Sequence, residues 1–207
     1  MNRPILREIE ALILTGKLKP RERLIEIELS SKLNASRFAV RKALQELTNH
    51  GLIETLPNKG ARVIDLSEEE VEDIYLVRLD LEILASDLMV KRITSGELNR
   101  VKEIQKEYSE IGRIKNFEDM ILKNEEFHDT LYSTTKNRFL QEIIKKVRNL
   151  TYFLRYSGYF IPGRLEVSIK DHNEMIQALE EKNSGKLKTI VEKSVLFSKN
   201  FYLSNRV

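Results

Sequence analysis

The 207-residue chain has no cysteine, which excludes disulfide bonds and every metal site built on thiolates. It also has no run that approaches 18 apolar residues, so the sequence predicts no membrane span. Its first residues mix apolar and charged side chains, which indicates an amphipathic helix and not a secretory signal. From these absences we expect a soluble cytoplasmic protein.

The formal net charge of +3 is small, but it is unevenly distributed along the chain. Residues 1–65 contain 12 Lys and Arg against 8 Asp and Glu, which leaves 23 against 24 in the remaining residues. The excess positive charge therefore falls on the N-terminal third. This distribution favours a polyanionic partner such as double-stranded DNA, although a solvated surface on a small domain is the alternative.

The N-terminal third has the pattern of a winged helix-turn-helix domain, which we place at residues 1–66. Apolar residues recur at helical spacing from Ile5 to Ile13, over 26–33 and over 37–49, where Gly51 ends the third helix. The stretch 18–23 contains a proline and is predicted to be a turn. Residues 52–56 and 61–66 alternate like strands around a Pro-Asn-Lys-Gly turn, which predicts a two-stranded hairpin, the wing.

The rest of the chain, residues 67–207, is predicted to be an all-α antiparallel bundle. Ser67 followed by three glutamates is typical of a helix start, and it marks the domain boundary. No strand-like alternation follows. The predicted helices cover 68–92, 95–112, 117–134, 137–157, 164–182 and 185–203, and the short loops between them favour a bundle. The fold class is therefore mainly α.

The start of the third helix carries the side chains expected to bind DNA. Arg37 and Arg41 are one helical turn apart and project from one face. A guanidinium group can bind guanine with two hydrogen bonds in the major groove. Lys42, to the side, suits a phosphate. Ser36 is predicted to cap the helix, and whether it also touches phosphate stays open.

The tip of the hairpin carries a second basic element. Lys59 and Gly60 lie together in the predicted turn, and a glycine there allows the backbone to approach a DNA groove closely. An ordinary solvated turn lysine is the alternative for Lys59.

From Ile5 to Val63 these residues resemble the GntR family of bacterial transcription regulators. The resemblance implies that Arg37 and Arg41 contact operator bases and that Gly60 lies in the wing near the minor groove. The matching residues are Leu18, Lys19, Pro20, Glu22, Arg23, Leu24, Glu28, Leu29, Leu33, Ser36, Arg37, Val40, Arg41, Ala43, Leu44, Leu47, Gly51, Leu52, Lys59, Gly60, Ala61 and Val63.

Some positions depart from the pattern of that family. Phe38 and Ala39 replace a usual Thr-Pro, Lys42 replaces a Glu, and Ile27 stands where an Arg is common. The lost hydroxyl and guanidinium remove two expected DNA contacts. We therefore expect an operator that differs from the commonest one in the family.

Residues 68–203 resemble the FCD ligand-sensing domain of the FadR subfamily. The resemblance implies a homodimer that binds a small-molecule effector in the helical domain. The matching residues are Arg78, Glu82, Asn124, Phe127, His128, Leu131, Asn137, Asp171, His172, Ile176 and Ala178.

The same resemblance implies a site for a divalent metal of the Zn, Ni or Mn class. Its ligand positions correspond to Asn124, His128 and His172, with Ser194 where the family has a further histidine. Asn124 can bind a metal through its amide oxygen but brings no charge, and the hydroxyl of Ser194 is a poor ligand for such metals. Two histidines and the amide oxygen could still hold a metal whose coordination is completed by water or by an effector carboxylate. The alternative is that the two histidines are buried, hydrogen-bonded residues of an effector pocket.

The expected effector pocket includes cations for a small carboxylate. Arg148 is predicted to lie opposite Asn124, and Arg78 lies on the first helix of the domain, where pairing with Glu82 is a structural alternative. Ser194 is expected to line the same pocket. Tyr152 shares a predicted helix face with Arg155 and Tyr159, but core or dimer packing is equally open for these tyrosines.

The sequence thus predicts a ligand-responsive transcription regulator, with repression as the expected output. A dimer would bind a pseudo-palindromic operator, and an effector would change the placement of its two winged domains. A constitutive DNA-binding protein whose bundle only dimerises is the first alternative. A metal-dependent hydrolase or lyase is disfavoured, since no convincing general base accompanies the two histidines.

Overall fold

A computed structural model of the chain describes residues 3–56, 60–114, 116–152 and 163–205. Within these ranges it contains three short strands and nine helices, none of them long and apolar enough to cross a membrane. The elements are α1 (Arg3–Leu14), β1 (Arg23–Leu24), α2 (Glu26–Lys32), α3 (Arg37–Asn49), β2 (Ile53–Leu56), β3 (Gly60–Val63), α4 (Glu68–Arg92), α5 (Ser95–Arg113), α6 (Phe117–Ser133), α7 (Arg138–Leu150), α8 (Arg164–Glu180) and α9 (Ser184–Asn205).

The predicted winged helix-turn-helix is confirmed, with α3 in the place of the recognition helix. Ser36 caps this helix, because its hydroxyl accepts a hydrogen bond from the Ala39 amide at 3.2 Å. Val40 and Leu47 are fully buried in the core of the domain. Gly51 follows the last turn with φ +78°, a conformation that glycine adopts without strain.

The wing is a three-stranded antiparallel sheet in the order β1-β3-β2, and not the predicted two-stranded hairpin. In the hairpin, Ile53 pairs with Val63 and Leu56 with Gly60. The additional strand β1 pairs with β3 within the stretch 18–24, most of which was predicted to be a turn. Two residues are too few to show the alternation that identifies a strand, so the sequence pattern missed it.

The predicted helical bundle is also confirmed. Ser67 and Glu70 form a reciprocal capping box at the start of α4, and Thr94 and Glu97 form another at the start of α5. α9 packs along α4, while α5 packs between α6 and α8. The main difference concerns α7, which ends at Leu150 with Thr151 as its C-cap, whereas residues 153–157 of the predicted helix lie outside the described residues.

The winged domain packs directly on the bundle. The amide of Asn149 in α7 donates a hydrogen bond of 3.0 Å to the carbonyl of His50, the residue that ends α3. Gly51 packs on α7 beside Lys146 and Leu150. The C-terminal end of the recognition helix is therefore held by a helix of the other domain.

Candidate DNA-binding surface and effector cavity

The outer face of α3 carries exposed cations beside an exposed aromatic ring. Arg37, Arg41 and Lys42 are exposed, and the Phe38 side chain is 75% exposed. Gly60 opens β3 with φ +81° and has open space around its Cα. Lys59, which was predicted at the tip of the wing, lies outside the described residues.

Arg41 is held by Glu26, a residue of α2 that the sequence did not single out. Its Nε and Nη2 atoms donate hydrogen bonds of 2.8 and 2.6 Å to the two oxygens of the carboxylate. This hydrogen-bonded pair lowers the pKa of Glu26 and raises the pKa of Arg41. Arg37, by contrast, has no ion-pair partner within the described part of the chain.

A narrow cavity of about 30 Å³ lies inside the bundle. It brings together the expected metal positions and most of the expected effector pocket. The lining residues are Arg78 and Glu82 of α4, Asn124 and His128 of α6, Arg148 of α7, Arg164, Ser168, Asp171, His172 and Met175 of α8, and Ser194 and Ser198 of α9.

One wall of this cavity is a buried network around Glu82. Arg78 donates from Nε to the Glu82 carboxylate at 2.7 Å, Tyr132 donates its hydroxyl at 2.6 Å, and Arg148 lies 3.8 Å away. Burial alone would raise the pKa of Glu82, but the charges of Arg78 and Arg148 outweigh it and lower that pKa. Arg78 therefore both pairs with Glu82 and lines the cavity.

Another part of the cavity lining is built around His172, which is neutral at physiological pH. Its Nδ1 atom lies 2.8 Å from the Gln105 side-chain oxygen, and its ring stacks on Phe127 with centroids 3.9 Å apart. Burial lowers the pKa of His172 to about 3, and the positive charges of Arg148 and Arg164 contribute to that shift.

The donor set of the cavity does not fit the implied divalent metal. His128 and His172 are the two imidazoles, their ring centroids 5.0 Å apart, and Asn124 and Ser194 add only neutral oxygens. Nowhere in the described ranges do three His, Cys, Asp or Glu side chains form a group that could hold a metal ion. Zinc-like sites need more imidazole or carboxylate than these four positions supply.

Tyr152 was expected in the pocket, but the structure places it elsewhere. It is buried in the cluster that joins the winged domain to the bundle, and it is not among the residues that line the cavity. Tyr152 is not on the expected face of α7, because that helix ends two residues earlier, at Leu150. Burial raises the pKa of its hydroxyl. Arg155 and Tyr159, expected beside it, lie outside the described residues.

The sequence reasoning missed two charged residues of the cavity, Arg164 and Asp171. Arg164, Ser168 and His172 follow one another at intervals of four along α8, so helical spacing from His172 would have found the arginine. Asp171 is three residues after Ser168 and seven after Arg164, so it lies on the same side of the helix. Burial raises the pKa of its carboxyl, and Lys193 lies 3.8 Å away.

Comparisons with known proteins agree with this two-part architecture. The family "Bacterial regulatory proteins, gntR family" matches residues 2–63, and the FCD domain family matches residues 73–195. The Nta operon transcriptional regulator of Aminobacter aminovorans is 30% identical over 84% of this chain and 80% of its own length. The uncharacterized HTH-type transcriptional regulator YdhC of Bacillus subtilis (strain 168) is 29% identical over 85% and 79%.

Solved structures share the fold over the whole chain. E. coli McbR/YncC has a TM-score of 0.87 at 20% identity, covering 100% of this chain and 98% of its own. A GntR regulator from Rhodococcus sp. RHA1 has a TM-score of 0.79 at 19% identity, covering 100% and 99%. The chain therefore belongs to the GntR family of bacterial transcription regulators, with the FCD domain of the FadR subfamily, and is a regulator and not an enzyme.

Proposed function

We propose that the protein is a ligand-responsive repressor that binds a pseudo-palindromic DNA operator as a homodimer in the cytoplasm. Residues 1–66 would bind the operator. Residues 67–207 would dimerise and bind a small carboxylate effector. One contact carries this proposal: Asn149 holds the end of the recognition helix at His50, while its neighbour Arg148 lines the cavity. A ligand that moves α7 would therefore change the position of α3.

The roles in DNA binding follow from the exposed face of α3. Arg37 and Arg41 would bind base edges in the major groove, and Lys42 would contact a phosphate. Ser36 fixes the start of the helix and lies where a phosphate can approach it. At the wing, Lys59 and Gly60 would contact the neighbouring groove.

Exposed apolar side chains on α4 support the proposed homodimer. Val77 and Leu84 are 50% and 51% exposed and lie two helical turns apart on one face, with Leu76 beside them. Such a stripe indicates a protein interface. A two-fold dimer would present two α3 helices to half-sites about 34–36 Å apart.

The substitution Arg37→Ala tests the DNA-binding assignment. Losing a guanidinium that binds guanine should cost about 1–3 kcal/mol of discrimination. We expect a gel-shift titration to show a preference for the upstream region of the gene over a scrambled duplex of equal length that is about five- to 150-fold smaller than in the wild type. The matched control is Arg138→Ala, which removes an exposed arginine of the helical domain. Full sequence preference in Arg37→Ala would contradict the assignment.

The small size of the cavity favours one alternative, a constitutive DNA-binding dimer without an effector. A volume of about 30 Å³ leaves room for roughly two water-sized groups. This alternative predicts that no small molecule changes operator affinity. A divalent metal is not part of our proposal, since the donor set does not fit one.

A further inference from the structure

We propose that the cavity binds the anionic group of the effector directly, through the guanidinium groups of Arg78, Arg148 and Arg164, without a bridging metal ion. This inference rests on the proposed effector site in the helical domain. It assigns the positive charge at that site to arginines contributed by α4, α7 and α8.

The first argument is charge balance. Three guanidinium groups line the cavity, and Lys193 lies 3.8 Å from Asp171. The carboxylates are Glu82 and Asp171 in the lining and Glu125, which lies 3.8 Å from Arg148, so four positive charges face three negative ones. Both Glu82 oxygens already accept hydrogen bonds, one from Arg78 and the other from Tyr132. Glu82 therefore has little capacity left to neutralise a further cation, whereas a bound anion would balance the charges of the lining side chains.

The second argument is unused hydrogen-bonding capacity. Arg78 is 4% exposed and donates through Nε, while its Nη1 atom is buried and reaches no acceptor in the described ranges. The Nη1 atom of Arg164 is also buried without an acceptor there, and this guanidinium lies 5.1 Å from the Phe197 ring. Buried donors of this kind are normally satisfied, so two of them beside one cavity indicate an anionic ligand.

The third argument is the size of the cavity and the chemistry of its uncharged lining residues. A volume of about 30 Å³ holds roughly two water-sized groups, which is close to the two oxygens of a carboxylate. The hydroxyls of Ser168 and Ser194 and the neutral ring of His172 add no negative charge. An inorganic phosphate shares this chemistry but is larger than a carboxylate.

The test is a calorimetric titration of the full-length protein after passage over a chelating resin. A resin is preferred to EDTA, because EDTA is itself a polycarboxylate. The probes are sodium acetate, sodium succinate and inorganic phosphate, with sodium chloride at equal ionic strength as the blank. Each titration is repeated after the addition of Zn²⁺, Ni²⁺ or Mn²⁺. We expect saturable binding of a carboxylate to the metal-free protein, with added metal changing the affinity less than about threefold.

The variant Arg164→Gln should weaken that binding about tenfold or more, since it removes a charge-assisted hydrogen bond. The matched control is Lys170→Gln on the same helix, an exposed lysine that does not line the cavity, which should stay within about twofold. Arg78→Lys, which keeps the charge opposite Glu82, gives a second variant if Arg164→Gln fails to fold. It should also bind more weakly, because it loses the Nη1 donor.

Three results would overturn the inference: binding that appears only after a metal is added, equal weakening by Arg164→Gln and Lys170→Gln, or no saturable binding of any probe. Phosphate binding without carboxylate binding would keep the anion site and reject the carboxylate. Operator affinity is measured in parallel. If an effector binds only with a metal and still releases the protein from DNA, the direct anion site alone is refuted. If anions bind to the metal-free protein but operator affinity does not change, the proposed regulation is refuted.

Discussion

Arg37 and Arg41 share a helix face, yet their surroundings in the structure differ. Arg37 is exposed to solvent, whereas Arg41 donates hydrogen bonds to both carboxylate oxygens of Glu26. The pair is exposed, so it is weak enough to open when a phosphate or base competes for the guanidinium. Helical spacing predicted the shared face of the arginines. It did not predict Glu26, because that residue belongs to another helix and lies 15 positions away.

His172 gives a pH-dependent prediction at the same scale. Its pKa is about 3 in the folded chain and 6.5 as a free side chain, so the unfolded state takes up a proton that the folded state excludes. Its contribution to stability is thus present above pH 6.5 and is lost as the pH falls towards 3. Between about pH 7 and pH 5 the loss should be about 2 kcal/mol.

Urea unfolding of the wild type and of His172→Gln at both pH values measures this contribution. At each pH, the free energy of unfolding of the variant is subtracted from that of the wild type. This difference should be about 2 kcal/mol smaller at pH 5 than at pH 7. A difference that does not change with pH would show that the imidazole is not held neutral by its site.

At the scale of elements, the junction between α3 and α7 is the feature with the clearest consequence for stability. A side chain at Gly51 would need φ +78°, and its Cβ would lie 3.2 Å from the Lys146 carbonyl oxygen. Gly51→Ala should therefore lower the free energy of unfolding by at least about 1–2 kcal/mol. Thermal unfolding with Gly96→Ala as control checks this, since Gly96 lies in α5 with nothing within 4 Å of its Cβ. Equal Tm values for the two variants would contradict the close packing of α3 on α7.

Most helices could be predicted from sequence because their ends carry local signals. Ser67 and Thr94 begin α4 and α5 with capping boxes, and both starts were predicted within one residue. The errors fall where the signal is not local. β1 exists because β3 lies beside it, and α7 ends at Leu150 although no proline or glycine marks that position.

At the scale of the whole molecule, the stripe on α4 predicts how two chains associate. In a two-fold dimer, Leu84→Glu would bring one negative charge from each subunit into the interface. We expect sedimentation velocity to show at least a tenfold weaker dimer, with a parallel loss of operator affinity. Ile114→Glu is the control, because Ile114 is 75% exposed and caps a different helix, α5. An unchanged dimer in Leu84→Glu would place the interface on another surface.

The sequence by itself determined the family, the order of the elements and the cationic face of α3, because caps, periodicity and motif spacing are local properties of the chain. Through the resemblance to FCD domains it also implied that Asn124, His128, His172 and Ser194 belong to one site, and all four line one cavity. Only the tertiary structure decided what surrounds them. Arg164 and Asp171 line the same cavity because α8, packed on α5 and α9, contributes to it together with residues of α4, α6 and α7, and the balance of burial and charge there depends on that packing.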